Sequence, residues 1–355
     1  MSVRVSKPAF NLRSKLNELD RPVGAFGNQV LATENRYDAS KLIGGGRKIV
    51  LINGDFKISQ RGTYTSATAV TDDAYYLDRW KMRESGTAIT ITHNKDISIT
   101  EAGGDGIKTN SAKIDITSSA SGYWALRQIV EDYAAVSGQT VTFSCWVRGV
   151  GPKVFFRLWS IGNIGHGHAL TEDWQLYTET FSLPAFTQAA DSSNGCVITI
   201  GNYAEANVYN HTNDWCELAL FQVEIGRSPT PFEFRTEAEE LALCQRYCVV
   251  YGDDDEVHLG IGAAYDNTNI NLTVSTPVTM RAQPSISKVT SGGNWLQSYK
   301  GASGQNSNAS VEVGEKVNNN IRVYCQTTGH SSLSTGDALW CQVLPNAKLI
   351  LSAEM

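Results

Sequence analysis

The stretch NGDFKISQRGT, residues 53–63, crowds an aspartate, a glutamine and an arginine between two glycines, the kind of density that suits a catalytic loop. Glycoside cleavage would require a second carboxylate across a cleft, roughly 5–9 Å away, with one of the two held protonated. No spacing in the chain singles out such a pair. The densest acidic run, Asp253-Asp254-Asp255-Glu256, follows Gly252 without a break. Consecutive like charges repel and stay solvated, so the run reads as an exposed hairpin turn. Calcium binding there is the lesser alternative, because EF-hand spacing is missing. In GHGH, residues 165–168, His166 and His168 fall on one side of an extended segment. They would hold a metal only with a third ligand from elsewhere, and histidines between glycines are more often solvated. Serine-nucleophile signatures, P-loops and dinucleotide fingerprints are absent. The expectation is therefore a protein that is not an enzyme, with no cofactor and no metal.

Aromatic side chains are the remaining source of chemistry, since a sugar ring lays its C–H face on a π system while a few polar groups hold its hydroxyls. Trp80, Trp146, Trp174 and Trp215 lie in strand-like patterns and are assigned to the core. Trp295 and Tyr299 stand in SGGNWLQSYKGASGQNSN, a polar, glycine-rich stretch with little to bury of its own. They are the candidate ligand-binding residues. A large apolar side chain in such a loop either packs back on the body or meets a partner.

These residues need elements to position them. From Asn11 to Asp20, Leu12, Leu16 and Leu19 recur at helical spacing, Asn11 suits the first turn as a cap and Pro22 follows the end. One short amphipathic helix is predicted, leading through a glycine-rich connection to Gly44-Gly45-Gly46. From Lys48 the period changes to two: AITIT (88–92), KIDIT (113–117) and TVTFSCWV (140–147) alternate, with Val141, Phe143, Cys145 and Val147 on one face. KVFFRLW (153–159) and WCELALFQVE (215–224) are apolar on both faces, as in strands covered on two sides. TEAEELALCQRYC (236–248) has capping-box spacing at Thr236 and Glu239 and an apolar stripe of Leu241, Cys244 and Cys248. Beyond it YCVVY, NINLTV, IRVYC, LWCQV and KLILS predict a second set of strands.

The predicted fold is all-β: a jelly-roll β-sandwich followed by a smaller β-sandwich domain, with a short N-terminal helix and a short inter-domain helix. The boundaries are 1–47 for helix and linker, 48–235 for the jelly roll, 236–246 for the connecting helix and 247–355 for the C-terminal β domain. At 355 residues the chain is long enough for two cores. A net charge of -6 and a pI near 5.6 argue against a surface that tracks phosphates, so nucleic acid is not an expected partner. No apolar run approaches the roughly 20 residues that cross a bilayer, and MSVRVSKPAFNLRSKL has no continuous apolar core. Membrane insertion and an encoded export route are therefore not expected. Seven scattered cysteines fit no zinc pattern and read as free thiols of a reducing compartment.

LINGDFKISQRG (51–62), DRW (78–80), YWALRQIVE (123–131), VTFSCWVRG (141–149), WQLYTETF (174–181) and ELALFQVEIGRSPTPFEFR (217–235) together resemble the jelly-roll region of bacteriophage virion proteins, itself similar to CenC-like carbohydrate-binding modules. EELALCQRY (239–247) and PVTMRAQP (277–284) resemble the helix and C-terminal β domain that follow in such proteins, and FNLRSKLNELDRPVG (10–24) looks like their N-terminal attachment segment. The resemblance implies a virion structural protein, assembled in the host cytoplasm: a homotrimeric tail fibre, receptor-binding component, or head fibre or decoration. It implies attachment to other tail or capsid proteins through Phe10, Leu12, Leu16 and Leu19, and adhesion to host surface polysaccharide. The alternative is a carbohydrate-binding module serving a polysaccharide-degrading enzyme. On the jelly-roll reading IVLINGDF is a first strand running into a turn, with Ile49, Leu51 and Phe56 in the core. Asp55 and Arg61 would then pair, or meet Asp78 and Arg79 around Trp80.

Overall fold

Strands form wherever the sequence alternates, because the period of two puts one apolar face on a core and leaves the other to water. A computed structural model describes residues 50–355 apart from 101–105, 132, 159–162, 186–195, 203–208, 318 and 327–332. The helix expected over 11–20, with Phe10, Leu12, Leu16 and Leu19, lies outside the described residues.

Two antiparallel sheets make the first sandwich. The six-stranded one runs in the order Thr68–Ala69, Ile89–Ile99, Ile107–Ile116, Trp215–Ile225, Thr140–Val150, Gln175–Ser182. The five-stranded one runs Lys81–Ser85, Tyr123–Ile129, Val197–Gly201, Phe155–Leu158, Asn163–Ile164. Their inner faces share one core, in which Phe143 from the first sheet meets Phe156 from the second edge-on at 5.5 Å. Val141, Phe143, Cys145 and Val147 all point inward, as their shared parity requires. Trp80, fully buried, stacks on Phe221 at 5.3 Å and donates its indole N–H to the Asn53 carbonyl at 2.7 Å.

The strand expected to lead into NGDF does not form over residues 50–52, whereas the expected turn does, at residues 54–55 with Asn53 at φ 58°; Ile49 lies outside the described residues. Leu51 and Phe56 are buried as expected, but residues 50–67 pass through turns and irregular backbone. The reason lies opposite: the long Trp215–Ile225 strand carries a bulge between Ala219 and Gln222, where Leu220 adopts φ 52°. The Phe221 N–H, displaced there, donates to the Gly54 carbonyl at 2.8 Å. A Cβ on Gly54 would sit 2.1 Å from the Phe221 oxygen, so only glycine allows this approach.

The helix Glu237–Gln245 follows, with its capping box complete: the Glu239 N–H donates to the Thr236 hydroxyl at 3.3 Å and the Thr236 N–H to the Glu239 carboxylate at 3.2 Å. Its buried side chains are Cys244 and Glu240, whereas Leu241 is half-buried and Cys248 already belongs to the next strand. The Glu240 carboxylate accepts from Arg235 at 3.0 Å and from the Asn53 backbone N–H, which is how a charge is tolerated at this depth.

The second sandwich packs a seven-stranded sheet on a three-stranded one. The larger runs Ser303–Ser307, Leu296–Lys300, Ala338–Val343, Val257–Ala264, Asn269–Ser275, Asn320–Gln326, Ser310–Val317; the smaller runs Cys248–Tyr251, Lys348–Ser352, Ser285–Val289. Asp253, Asp254, Asp255 and Glu256 are exposed as expected, but they link two strands of different sheets and close no hairpin. All seven cysteines are free and buried, and burial pushes the Cys196, Cys248 and Cys341 thiols up to about 12.

Residues 49–355 form one unit, and a buried charge cluster joins its two sandwiches. Arg79, 2% exposed, pairs with Glu354, donates to the Ile129 carbonyl at 2.7 Å and lies 3.5 Å over the Tyr247 ring. Arg61 reaches Asp78 at 3.6 Å and Glu354 at 3.4 Å, while the Gln60 side chain donates to the Cys248 carbonyl at 2.9 Å. The glutamine and arginine of the opening motif thus serve the junction. Asp55 pairs with Lys57 at 3.0 Å and has no part in it.

Candidate functional site

The outward face of the six-stranded sheet carries a second charge cluster, and this one is open. Pairing sets Arg148, Glu217 and Lys113 side by side on three neighbouring strands, with Trp215 one outward position along. Glu172 and Asp173 enter from the segment leading into Gln175–Ser182, where Trp174 follows them. Asn94, Lys113, Arg148, Glu172, Asp173, Trp215 and Glu217 line a cleft of about 690 Å³, within the size range that takes small ligands.

Glu217 sits at its base, 1% exposed. Its carboxylate accepts from Arg148 through Nε at 2.8 Å and Nη2 at 2.6 Å, from the Asn94 amide at 2.8 Å and from the Ser111 hydroxyl. Every lone-pair direction is occupied, so Glu217 holds Arg148 in place. The Arg148 guanidinium lies 4.8 Å over the Trp174 ring and 5.7 Å from that of Trp215. Lys113, 5.2 Å from the Trp215 ring, is paired with Asp115 at 2.6 Å. Both cations are therefore engaged, while Glu172 and Asp173 form no ion pair among the described residues. The cleft presents the Trp215 indole, fixed N–H donors and solvated carboxylates, with Trp174 lying against Arg148. That set can donate hydrogen bonds to hydroxyl groups and accept hydrogen bonds from them.

Trp146, Trp174 and Trp215 correct the core assignment made from sequence. Only Trp80 of the four is fully buried; the other three are half-buried on the outer face. Trp146 and Trp174 pack on an outer apolar cluster of Ile99, Ala219 and Leu220. The signal was available in strand parity, for Trp146 alternates against Phe143, Cys145 and Val147, and Trp215 shares parity with Glu217.

The candidate ligand residues separate. Trp295 is fully buried and donates its indole N–H to the Ala309 carbonyl at 2.7 Å, so it has no ring face to offer a ligand. Its glycine-rich surroundings fold as a hairpin, Leu296–Lys300 against Ser303–Ser307, whose inner face joins the core. Tyr299 is on the opposite, outward face and half-buried. Of the paired histidines, His166 is exposed and contacts Glu179 at 3.1 Å, while His168 stacks on Tyr177 at 4.8 Å and burial lowers its pKa.

No family model matches the chain, and no curated protein matches it. Solved structures do. The enzymatically active domain of tailspike protein 4 of bacteriophage CBA120 aligns at 11% identity and TM-score 0.31, over 50% of this chain and 21% of that one. TmCBM61 in complex with beta-1,4-galactotriose aligns at 12% identity and TM-score 0.28, over 51% of this chain and all of that one, 100%. The N-terminal CBM22-1-CBM22-2 tandem domain of Paenibacillus barcinonensis Xyn10C aligns at 10% identity and TM-score 0.25, over 83% of this chain and 99% of that one. Likeness at this level carries no inference about ligand or activity.

Proposed function

We propose that the protein is a non-enzymatic adhesive component of a bacteriophage virion, trimeric, held to tail or capsid proteins by its N-terminal segment, and that its jelly roll binds host surface glycan. The virion assignment is supported by the ordered motifs from LINGDFKISQRG to FEFR and by the helix and β domain that follow them. Glycan adhesion is carried by one observation: the Arg148–Glu217 pair lies on Trp174 and beside Trp215 at an open cleft. The Trp215 indole takes the C–H surface of a sugar, Trp174 holds Arg148 in position, and the fixed guanidinium and amide donors orient the sugar hydroxyls. Threefold presentation multiplies weak single-site contacts on a repetitive polysaccharide.

Purified protein added to host cells before phage should block adsorption, and Trp174→Ala should lose most of the block while keeping its fold. Unchanged adsorption with saturating wild-type protein removes the adhesive role. Deleting residues 1–46 should leave a soluble trimer that is missing from particles; particles still carrying the truncated chain overturn the attachment.

A further inference from the structure

The seven-stranded sheet of the second sandwich has its own aromatic outward face, apart from the jelly-roll cleft. Tyr299 pairs across strands with Trp340, and Trp340 with Ile261, so three neighbouring strands present one apolar row of about 10 Å. Trp340 is 39% exposed and Ile261 73%. The Trp340 ring stacks on His258 at 4.5 Å and 28°, and packs against Tyr299 at 5.0 Å and 37°. Tyr299 lies over its other neighbour, Gly304, where an added Cβ would fall 2.5 Å from the ring. Glycine is what lets this tyrosine lie down on the sheet.

Beside the aromatic row runs a row of amides, Asn306, Gln297 and Gln342, again one from each of three adjacent strands. The Gln342 amide donates to Gln297 Oε1 at 2.6 Å, and the Tyr299 hydroxyl donates to the same oxygen at 2.9 Å. Gln342 is 1% exposed, yet its Oε1 has no hydrogen-bond partner among the described residues. Buried amide oxygens ordinarily have one. The nearby charges close on each other, Lys300 with Asp337 at 2.6 Å.

The geometry points to a second glycan-binding site on this face, for an uncharged sugar that stacks on Trp340 and Tyr299 and donates a hydroxyl toward the Gln342 amide. An uncharged ligand matches a face whose nearby ion pair is closed. A small hydroxyl donor also matches the buried orphan acceptor of this row, Gln342 Oε1, because its residue is 1% exposed and a flat protein surface would not reach it. This site does not depend on the jelly-roll cleft.

The test is affinity electrophoresis of the full chain in gels containing dextran, galactan or mannan, with polygalacturonate as the anionic control. At least one neutral polymer should retard the protein, and in a Trp174→Ala background part of that retardation should survive. Trp340→Ala should then weaken the surviving part about fivefold. Gly304→Val, which lifts the Tyr299 ring without touching Trp340, should weaken it as well. Retardation by no neutral polymer, its complete loss in Trp174→Ala, or full retention in Trp340→Ala overturns the site. A fall in sedimenting mass with Trp340→Ala also overturns it, by showing that a second copy of the chain covers the face. Loss with Trp340→Ala but none with Trp174→Ala leaves this site standing and removes the cleft.

Discussion

Two arginines in the first sandwich make the same contacts in opposite settings. Arg79 and Arg148 each bind a buried glutamate and each lie over an aromatic ring, Tyr247 in one case and Trp174 in the other. Arg79 is 2% exposed and bridges to the second sandwich; Arg148 is 34% exposed and rims a cleft. The chemistry of the pair is therefore neutral as to role. Burial decides, because a charge sealed between domains meets only its fixed partners, whereas one left at the rim keeps donors and a ring edge available to a ligand.

The largest test of that contrast is Arg79→Met. It leaves Glu354 buried with Arg61 alone at 3.4 Å, and should cost about 3 kcal/mol or more in urea unfolding. Arg148→Met should cost about 1–2 kcal/mol, since Asn94 and Ser111 still serve Glu217, but it should weaken glycan retention far more than Arg79→Met does. Equal losses of stability from the two would show that burial is not what separates them.

A smaller effect sharpens the domain junction. Burial would raise the Glu131 pKa, but hydrogen bonds from Arg246 and Tyr247 and the nearby Arg246 and Arg281 charges outweigh it and hold the carboxyl below its ordinary 4.5. With the folded value depressed, the unfolded chain binds the proton more tightly. Glu131 therefore contributes stability that is full above pH 4.5 and drains away as pH falls through the folded value. Glu131→Gln should lower stability at pH 7 by about 1 kcal/mol or less, given that Arg246 is 42% exposed, and should converge with wild type in acid. A constant difference from pH 7 to pH 3 would remove the ion pair as its cause. Least in stability are Glu172→Gln and Asp173→Asn at the cleft rim, each expected within about 0.5 kcal/mol by thermal melts. A clear destabilisation from either would mean that the rim is built into the fold and is no free recognition surface.

Much of this was legible one residue at a time. The strands around Phe143, Ile114, Leu272 and Val323, and the capped helix at Thr236, follow from alternation and capping chemistry within a few residues. The glycine-rich stretch around Trp295 was not, since its hairpin is stable only when Leu296 and Trp295 find a core supplied by strands far along the chain. The strand expected to lead into NGDF was misread for a similar reason, as the backbone there is bent to meet a bulge more than 160 residues away in sequence, between Ala219 and Gln222.

The sequence by itself determined that this chain folds as β-sandwiches and which side of each strand is apolar, because side-chain parity is a local property. Only the tertiary structure decided which face of each sheet is covered and which stays open. That choice depends on what packs against a sheet, and it turned Arg79 into a buried joint, sealed Trp295, and left Arg148, Trp174 and Trp340 at the surface.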